Sequence, residues 1–296
     1  VQHLAFATDD ILATADRLAA RGFESLPMPR NYYDDLAARF DIPAGADQVQ
    51  RVLERDPAMT ANVLRISNSA FYGVRREIAS VRDALVMLGN RAVMTMAFAT
   101  GMAPVLRKDL EGYGITRERF WSHSVLSAAS AAFAADRLGS GHFRCEAFTA
   151  GLVHDVGMLV IDPYLVRIGE TIEGTGDHYD ITGKERELLG FDHCDAGALL
   201  AENWGFPPIL AEAIRHHHEP VLACEWPDIV RAVGVGNLAS SAGELEMDPH
   251  TDEHLAHLLD RLDLEPEFVD QLEMDLKGDL EDMVAAAVHP AVPLGA

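Results

Sequence analysis

Beyond residue 8 no part of this chain alternates apolar and polar side chains with a period of two. A strand with one buried face needs that alternation. Apolar residues recur instead at helical spacing between capping signals. Asp56-Pro57 supplies an N-cap and a proline for the first helical position, and Met59, Val63, Leu64 and Ile66 follow. Ser80 caps the next helix with Asp83 three residues on; Val81, Leu85 and Leu88 form its stripe and Gly89 ends it. Residues 91–106 are rich in Met and Ala and read as buried. A second set opens at Thr116: 120–138 is rich in Ala and Ser, suited to close helix packing, and 147–160 reads as one buried helix. Further helices are expected at 182–190, 193–203, 207–218 and 227–242, with two more near 252–261 and 279–288 in the acidic tail, and 174–180 reads as a loop. Only residues 1–7 read as extended; Thr8-Asp9-Asp10 then caps a helix at 11–20 that Gly22 stops. The expected fold is therefore all-α, a multi-helix bundle with a short N-terminal strand–helix appendage, and not a doubly wound sheet. Asn68, a polar residue in an apolar run, is expected to be a buried amide bonded to the neighbouring helix turn.

Charge narrows the function classes. The 296 residues carry 24 Lys plus Arg against 47 Asp plus Glu, a net charge of −23. Such a surface repels phosphate backbones, so nucleic acid is not an expected partner, and no polybasic membrane anchor is present. No run approaches the roughly 18 uncharged apolar residues of a transmembrane helix, so no membrane is expected. The N-terminus lacks the basic start of a signal peptide, and its opening on Val1 suits a trimmed chain. Cys145, Cys194 and Cys224 are far apart, odd in number and form no CxxC pair. A reducing, cytoplasmic location follows. A boundary is expected at 107–116, where Lys108, Gly112 and Gly114 interrupt the pattern.

The histidines carry the chemistry. Eight of 13 lie between 123 and 218: His123, His142, His154, His178, His193, His216, His217 and His218. Imidazole with carboxylate is a ligand set for divalent iron, manganese or zinc. Ligands on several helices converge when each faces inward. The plainer reading is that a lone His123 is a hydrogen-bonded core residue, that 216–218 is a solvated helix end whose charge suits the dipole, and that His142 and His178 are surface residues.

The order of the matching segments resembles an HDOD domain, the regulatory branch of the HD superfamily. They run from Leu26-Pro27-Met28-Pro29 through Asp56-Pro57-Ala58-Met59-Thr60, Ile66-Ser67-Asn68-Ser69-Ala70-Phe71-Tyr72-Gly73 and Phe120-Trp121-Ser122-His123. Gly151-Leu152-Val153-His154-Asp155-Val156-Gly157, Gly190-Phe191-Asp192-His193, Trp204-Gly205-Phe206-Pro207 and His217-His218-Glu219-Pro220 follow. This resemblance implies a helical signal-transduction module, with HDOD at 26–242 in helical subregions of about 26–110 and 116–242, an appendage at 1–25 and an acidic tail at 243–296. It further implies that His123, His154, Asp155, His193, His217 and His218 are the positions of metal ligands in the catalytic HD-GYP phosphodiesterases. Two departures are visible: no Gly-Tyr-Pro follows the His-His-Glu run, and Asn237 stands where the closing Asp belongs. Separately, residues 1–11 with 31–36 resemble a fragment of 4-hydroxyphenylpyruvate dioxygenase, in which His3 matches a ferrous ligand.

The expected function is a regulatory module acting on other signalling proteins, with an HD-like pocket holding a divalent metal (Fe, Mn or Zn) at His123, His154, Asp155, His193, His217, His218 and Asn237. The alternative is a metal-dependent phosphohydrolase or cyclic-dinucleotide phosphodiesterase; a third reading is a scaffold whose histidines are relics.

Overall fold

The computed structural model describes residues 49–50, 53–172, 178–245, 259–260 and 264–276. The extended segment at 1–7, the helix at 11–20, the dioxygenase-like segment with His3, and the helix at 279–288 lie outside the described residues. The expected helix near 252–261 is described only at 259–260, both helical. The helices are α1 (Pro57–Ser67), α2 (Val81–Leu106), α3 (Arg117–Arg137), α4 (Arg144–Val153), α5 (Met158–Ile168), α6 (His178–Leu189), α7 (His193–Asn203), α8 (Pro208–His216), α9 (Pro227–Leu245) and α10 (Pro266–Leu276). Among the described residues β-structure is limited to an isolated antiparallel bridge between Leu110 and Ile115. The fold is all-α.

Local chemistry starts the helices where the sequence places them. Asp56 Oδ1 accepts the N–H groups of Ala58 and Met59, each at 3.0 Å. Ser80, Thr116 and Asp192 accept from the third residue of their helices in the same way. Gly89 breaks α2 with φ +86°, a left-handed value that favours glycine; the chain resumes the helix at once, so the expected stop is a kink.

Small residues decide how the bundle closes. α3 is buried almost all round by Ala and Ser, and α4 and α9 grip it at one level. A Cβ placed on Gly151 of α4 would lie 2.8 Å from Ser127 O, and one on Gly236 of α9 would lie 2.6 Å from the same oxygen. The side chains form two apolar clusters. One joins Val49, Leu53, α1 and the first part of α2 up to Ala97; the other takes over at Phe98 and runs through the remaining helices to α10. Residues 107–116 are packed into the second: Leu110 and Tyr113 are buried, Gly112 N donates to Asp162 Oδ1 at 2.7 Å, and Ile172 N donates to Gly112 O at 2.8 Å.

Several expectations are corrected. The single helix at 147–160 is two, α4 and α5, separated by a turn at 154–157. Residues 178–180 are helical rather than loop, and α10 was not anticipated. Asn68 is exposed, although its amide is fully used: Nδ2 donates to Leu64 O and Ile78 O, both at 2.8 Å, and Oδ1 accepts from Ile78 N at 2.7 Å. Two helical stretches, Val81–Leu106 and Gly141–Ile168, are long and apolar enough to cross a membrane by length and composition. The first is kinked at Gly89, and the second is interrupted by the 154–157 turn and mostly buried in the core.

Candidate metal centre

Five elements bring the site together. His123 projects from the middle of α3. His154 and Asp155 occupy the turn between α4 and α5. His193 is the first residue of α7, set by the Asp192 cap. His217 and His218 follow the last turn of α8, and Asn237 lies on α9. Gly157 makes the approach of α7 possible, because a Cβ there would stand 1.9 Å from His193 O and 2.6 Å from Gly197 N. All seven side chains are buried; His218, the most accessible, is 8% exposed.

Asp155 is the hub. Its Oδ2 lies 3.4 Å from His123 Nε2 and 3.2 Å from His154 Nε2. Its Oδ1 lies 3.4 Å from both His193 Nε2 and His217 Nε2. His123 Nε2 and His154 Nε2 are 3.3 Å apart, and His193 Nε2 and His218 Nε2 are 3.1 Å apart. The carboxylate therefore serves one histidine pair with each oxygen. Asn237 sits one turn before Ser240 on α9, with its Oδ1 buried and accepting no hydrogen bond among the described residues.

The outer ring nitrogens assign the tautomers. His154 Nδ1 is 2.7 Å from Gly151 O, and His217 Nδ1 is 2.7 Å from Ile214 O. Carbonyls only accept, so both Nδ1 atoms carry hydrogen. His193 Nδ1 donates to Glu185 Oε2 at 2.8 Å. Ser240 Oγ donates to His123 O at 3.3 Å and so accepts from His123 Nδ1 at 3.0 Å. In the neutral rings, four Nε2 lone pairs then point at one carboxylate. That arrangement repels unless a cation stands between them. A metal ion or a proton would each relieve it. Burial opposes charge on His193 and His217, but nearby anionic groups outweigh it: Glu185 holds His193 well above the ordinary imidazole range, and Cys194 and Asp155 push His217 up to about 10. Burial drives His154 down, and it drives His218 far down. Burial alone would raise the Asp155 carboxyl, yet the surrounding imidazoles hold it well below its usual range.

The spacing also suits metal. Two donors about 2.1 Å from an ion, 90–109° apart, lie about 3.0–3.4 Å from each other. The observed donor separations fall in that interval. Nδ1–H groups tied to carbonyls and a carboxylate are the usual outer support of ligating histidines.

Some members of the site were not anticipated. Glu185 is fully buried; its Oε1 accepts from the Tyr113 hydroxyl, and its Oε2 accepts from both Nδ1 and N of His193. The signal was its place on α6 between Ile181 and Leu189, at i, i+4 and i+8 on one buried stripe. Cys194 Sγ lies 4.0 Å from His217 Nδ1, and Ser240 supports His123. Among the other histidines, His142 sits in a 3₁₀ turn with its ring against Phe143, and His216 is half-buried at the end of α8.

The HDOD domain profile matches residues 26–220, and the chain belongs to the HDOD family. A solved structure from Shewanella amazonensis SB2B, provisionally named a phosphohydrolase, superposes with a TM-score of 0.72 at 24% identity, covering 95% of this chain and 99% of that one. An HDOD domain protein of unknown function from Geobacter sulfurreducens superposes at 0.67 with 21% identity, over 94% and 98%. These likenesses define the fold, an all-α helical bundle. An uncharacterised protein of Treponema pallidum (strain Nichols) is 21% identical over 190 residues, 63% of this chain, which spans only 36% of that relative. A 42-residue stretch, 14% of the chain, is 54% identical to 7% of a 3-dehydroshikimate dehydratase from Pseudomonas putida.

Proposed function

We propose that this chain is a regulatory signalling module whose His/Asp centre holds divalent metal, acting in the cytoplasm through contacts with other signalling proteins. The observation that supports the reading is the convergence of four inward Nε2 atoms on the two oxygens of Asp155. His123 and His154 would hold one ion with Oδ2; His193, His217 and His218 would hold a second with Oδ1. Iron, manganese and zinc all accept this donor set. A bridged pair of ions supplies Lewis acidity and, where water and substrate reach it, an activated hydroxide.

The surrounding residues favour regulation over hydrolysis. Asn237 replaces a closing carboxylate and cannot serve as a base. Arg215 is the only Lys or Arg between residues 187 and 230, and it pairs with Asp195 and Glu202 at 3.3 Å each. Its charge is largely offset by these two carboxylates, so that segment offers little positive potential to hold a phosphate. The ligand side chains are also buried, His218 being the most accessible, which restricts the approach of a bulky phosphodiester. Elemental analysis of untagged protein tests the proposal: about two ions per chain are expected, and Asp155→Ala should lose both. Metal-free protein with an unaltered Asp155→Ala stability would overturn it.

The phosphohydrolase reading is favoured by the name of the Shewanella structure. Its test is turnover of cyclic dinucleotides and simple phosphoesters with added manganese or iron, with His154→Ala as control. No appreciable turnover is expected; robust turnover that the control loses would put the enzyme first.

A further inference from the structure

A second site lies away from the Asp155 centre, at the seam between the two apolar clusters. It is a cavity of 350 Å³ bounded by α2, the 3₁₀ turn Ala70–Tyr72 and the start of α4. That volume falls at the lower end of small-molecule sites, which run from about 300 to 1,000 Å³. Its floor is aromatic and buried: Phe71 and Phe148 lie with ring centroids 5.8 Å apart. Arg144 lays its guanidinium over Phe71, 4.9 Å from the ring centroid, and Arg91 of α2 lines the same cavity. Tyr72 and Cys145 also line the cavity, and burial raises both pKa values.

The charge balance selects the ligand class. Arg91 pairs with Glu146, and Arg144 with Asp136, so the rim is close to neutral. On a chain of net charge −23, a neutral rim disfavours a polyphosphate. Each guanidinium nonetheless has five N–H donors, and its carboxylate partner takes one. One further carboxylate can be met edge-on, while the aromatic floor takes a flat ring. We propose that this cavity binds a planar aromatic molecule bearing a single carboxylate, its ring against Phe71 and Phe148 and its charge on the Arg91–Arg144 rim. Such a ligand would touch both clusters at once, since Leu88 and Ala92 belong to the first and Phe71 to the second. It would thereby couple a small molecule to the packing of one cluster on the other. The inference does not depend on the metal centre.

The experiment titrates the full chain with benzoate, 4-hydroxybenzoate and indole-3-acetate, and with neutral indole-3-acetamide, read by calorimetry. At least one carboxylate is expected to bind with Kd below about 1 mM. The amide should bind about tenfold more weakly, the loss of one charge-assisted bond. Ala92→Trp, which fills the cavity, and Arg91→Gln on the exposed rim should each weaken binding about tenfold or more, with circular dichroism and metal content unchanged. The proposal is overturned if none of the three acids binds at about 10 mM, if the amide binds as tightly as its acid, or if the two variants bind like the parent. A failure of Ala92→Trp to fold leaves Arg91→Gln to decide.

Discussion

Glu185 holds His193 twice through one oxygen: Oε2 accepts the imidazole Nδ1–H and the backbone N–H of the same residue, each at 2.8 Å. Its other oxygen takes the Tyr113 hydroxyl, so the imidazole is aimed at Asp155 before any ion arrives. Glu185→Gln should weaken metal binding about ten- to hundredfold with helix content retained. Tyr113→Phe should show a smaller loss, because it removes one acceptor contact from Glu185 rather than the support of the ring. Competition against a chromophoric chelator measures both, and equal affinities for parent and Glu185→Gln would remove the supporting role.

Stripping the metal should lower thermal stability. An ion bound only by the folded state adds about 2.7 kcal/mol when free metal is 100 times Kd. Dialysis against a chelator should therefore lower Tm reversibly, and re-addition of metal should restore it. A Tm indifferent to chelation would contradict the centre.

Gly157→Ala should be severe. The new Cβ would meet His193 O at 1.9 Å and must push α7 away from the 154–157 turn. Overpacking of this kind costs about 1–3 kcal/mol or more, and here it also moves His193 off Asp155. The expected signature is joint loss of stability and metal, seen by denaturant titration and elemental analysis. A change in stability with full metal content would show that the turn and α7 can separate without disturbing the site.

Asn68→Ala tests a clamp rather than a core residue. The amide ties the end of α1 to Ile78 through two bonds to the Ile78 backbone and a third to Leu64 O of its own helix. Exposure lets water replace part of them, so the expected cost is about 1 kcal/mol, read as a shift in denaturation midpoint. Unchanged stability together with lost binding to a partner would make Asn68 an interaction residue.

Glu212 should give a pH signature. Its burial favours the protonated form, but N–H groups of Cys224, Glu225 and Trp226 bond the carboxylate, and its pKa falls below the ordinary 4.5. A depressed acid contributes stability above its unfolded pKa and loses it as pH falls through the folded value. Glu212→Gln should therefore cost about 1 kcal/mol at pH 7, and its Tm should converge on that of the parent in acid below pH 4.5. Parallel pH profiles for the two proteins would refute this.

What the sequence discloses is what neighbours along the chain determine. The caps at Asp56, Ser80, Thr116 and Asp192 are local bargains between a side chain and its own helix; the pattern marks the first two as caps and starts helical segments at the other two places. The break at 154–157 is different. Apolar spacing continues from Ala147 to Val160 without a stop, and the turn is set by the closeness of Gly157 to His193, 36 residues away. Glu185 was hidden for a related reason: it lies on the Ile181–Leu189 stripe, but a charged residue among other charges on α6 reads as solvated, and its partners Tyr113 and His193 come from outside that helix. The histidines stood out because so many shared one half of the chain, while their tautomers emerged only with the carbonyls and hydroxyls behind them.

The donors of one small centre come from positions 123 to 218, with support from Ser240 on α9. Helices form in well under a millisecond, whereas contacts between distant segments set the pace of folding. This centre does not exist until α3, the 154–157 turn, α7 and the end of α8 have all docked. On the proposed function, metal capture would then be a late event in refolding, and an ion held tightly would report that the last helix has arrived.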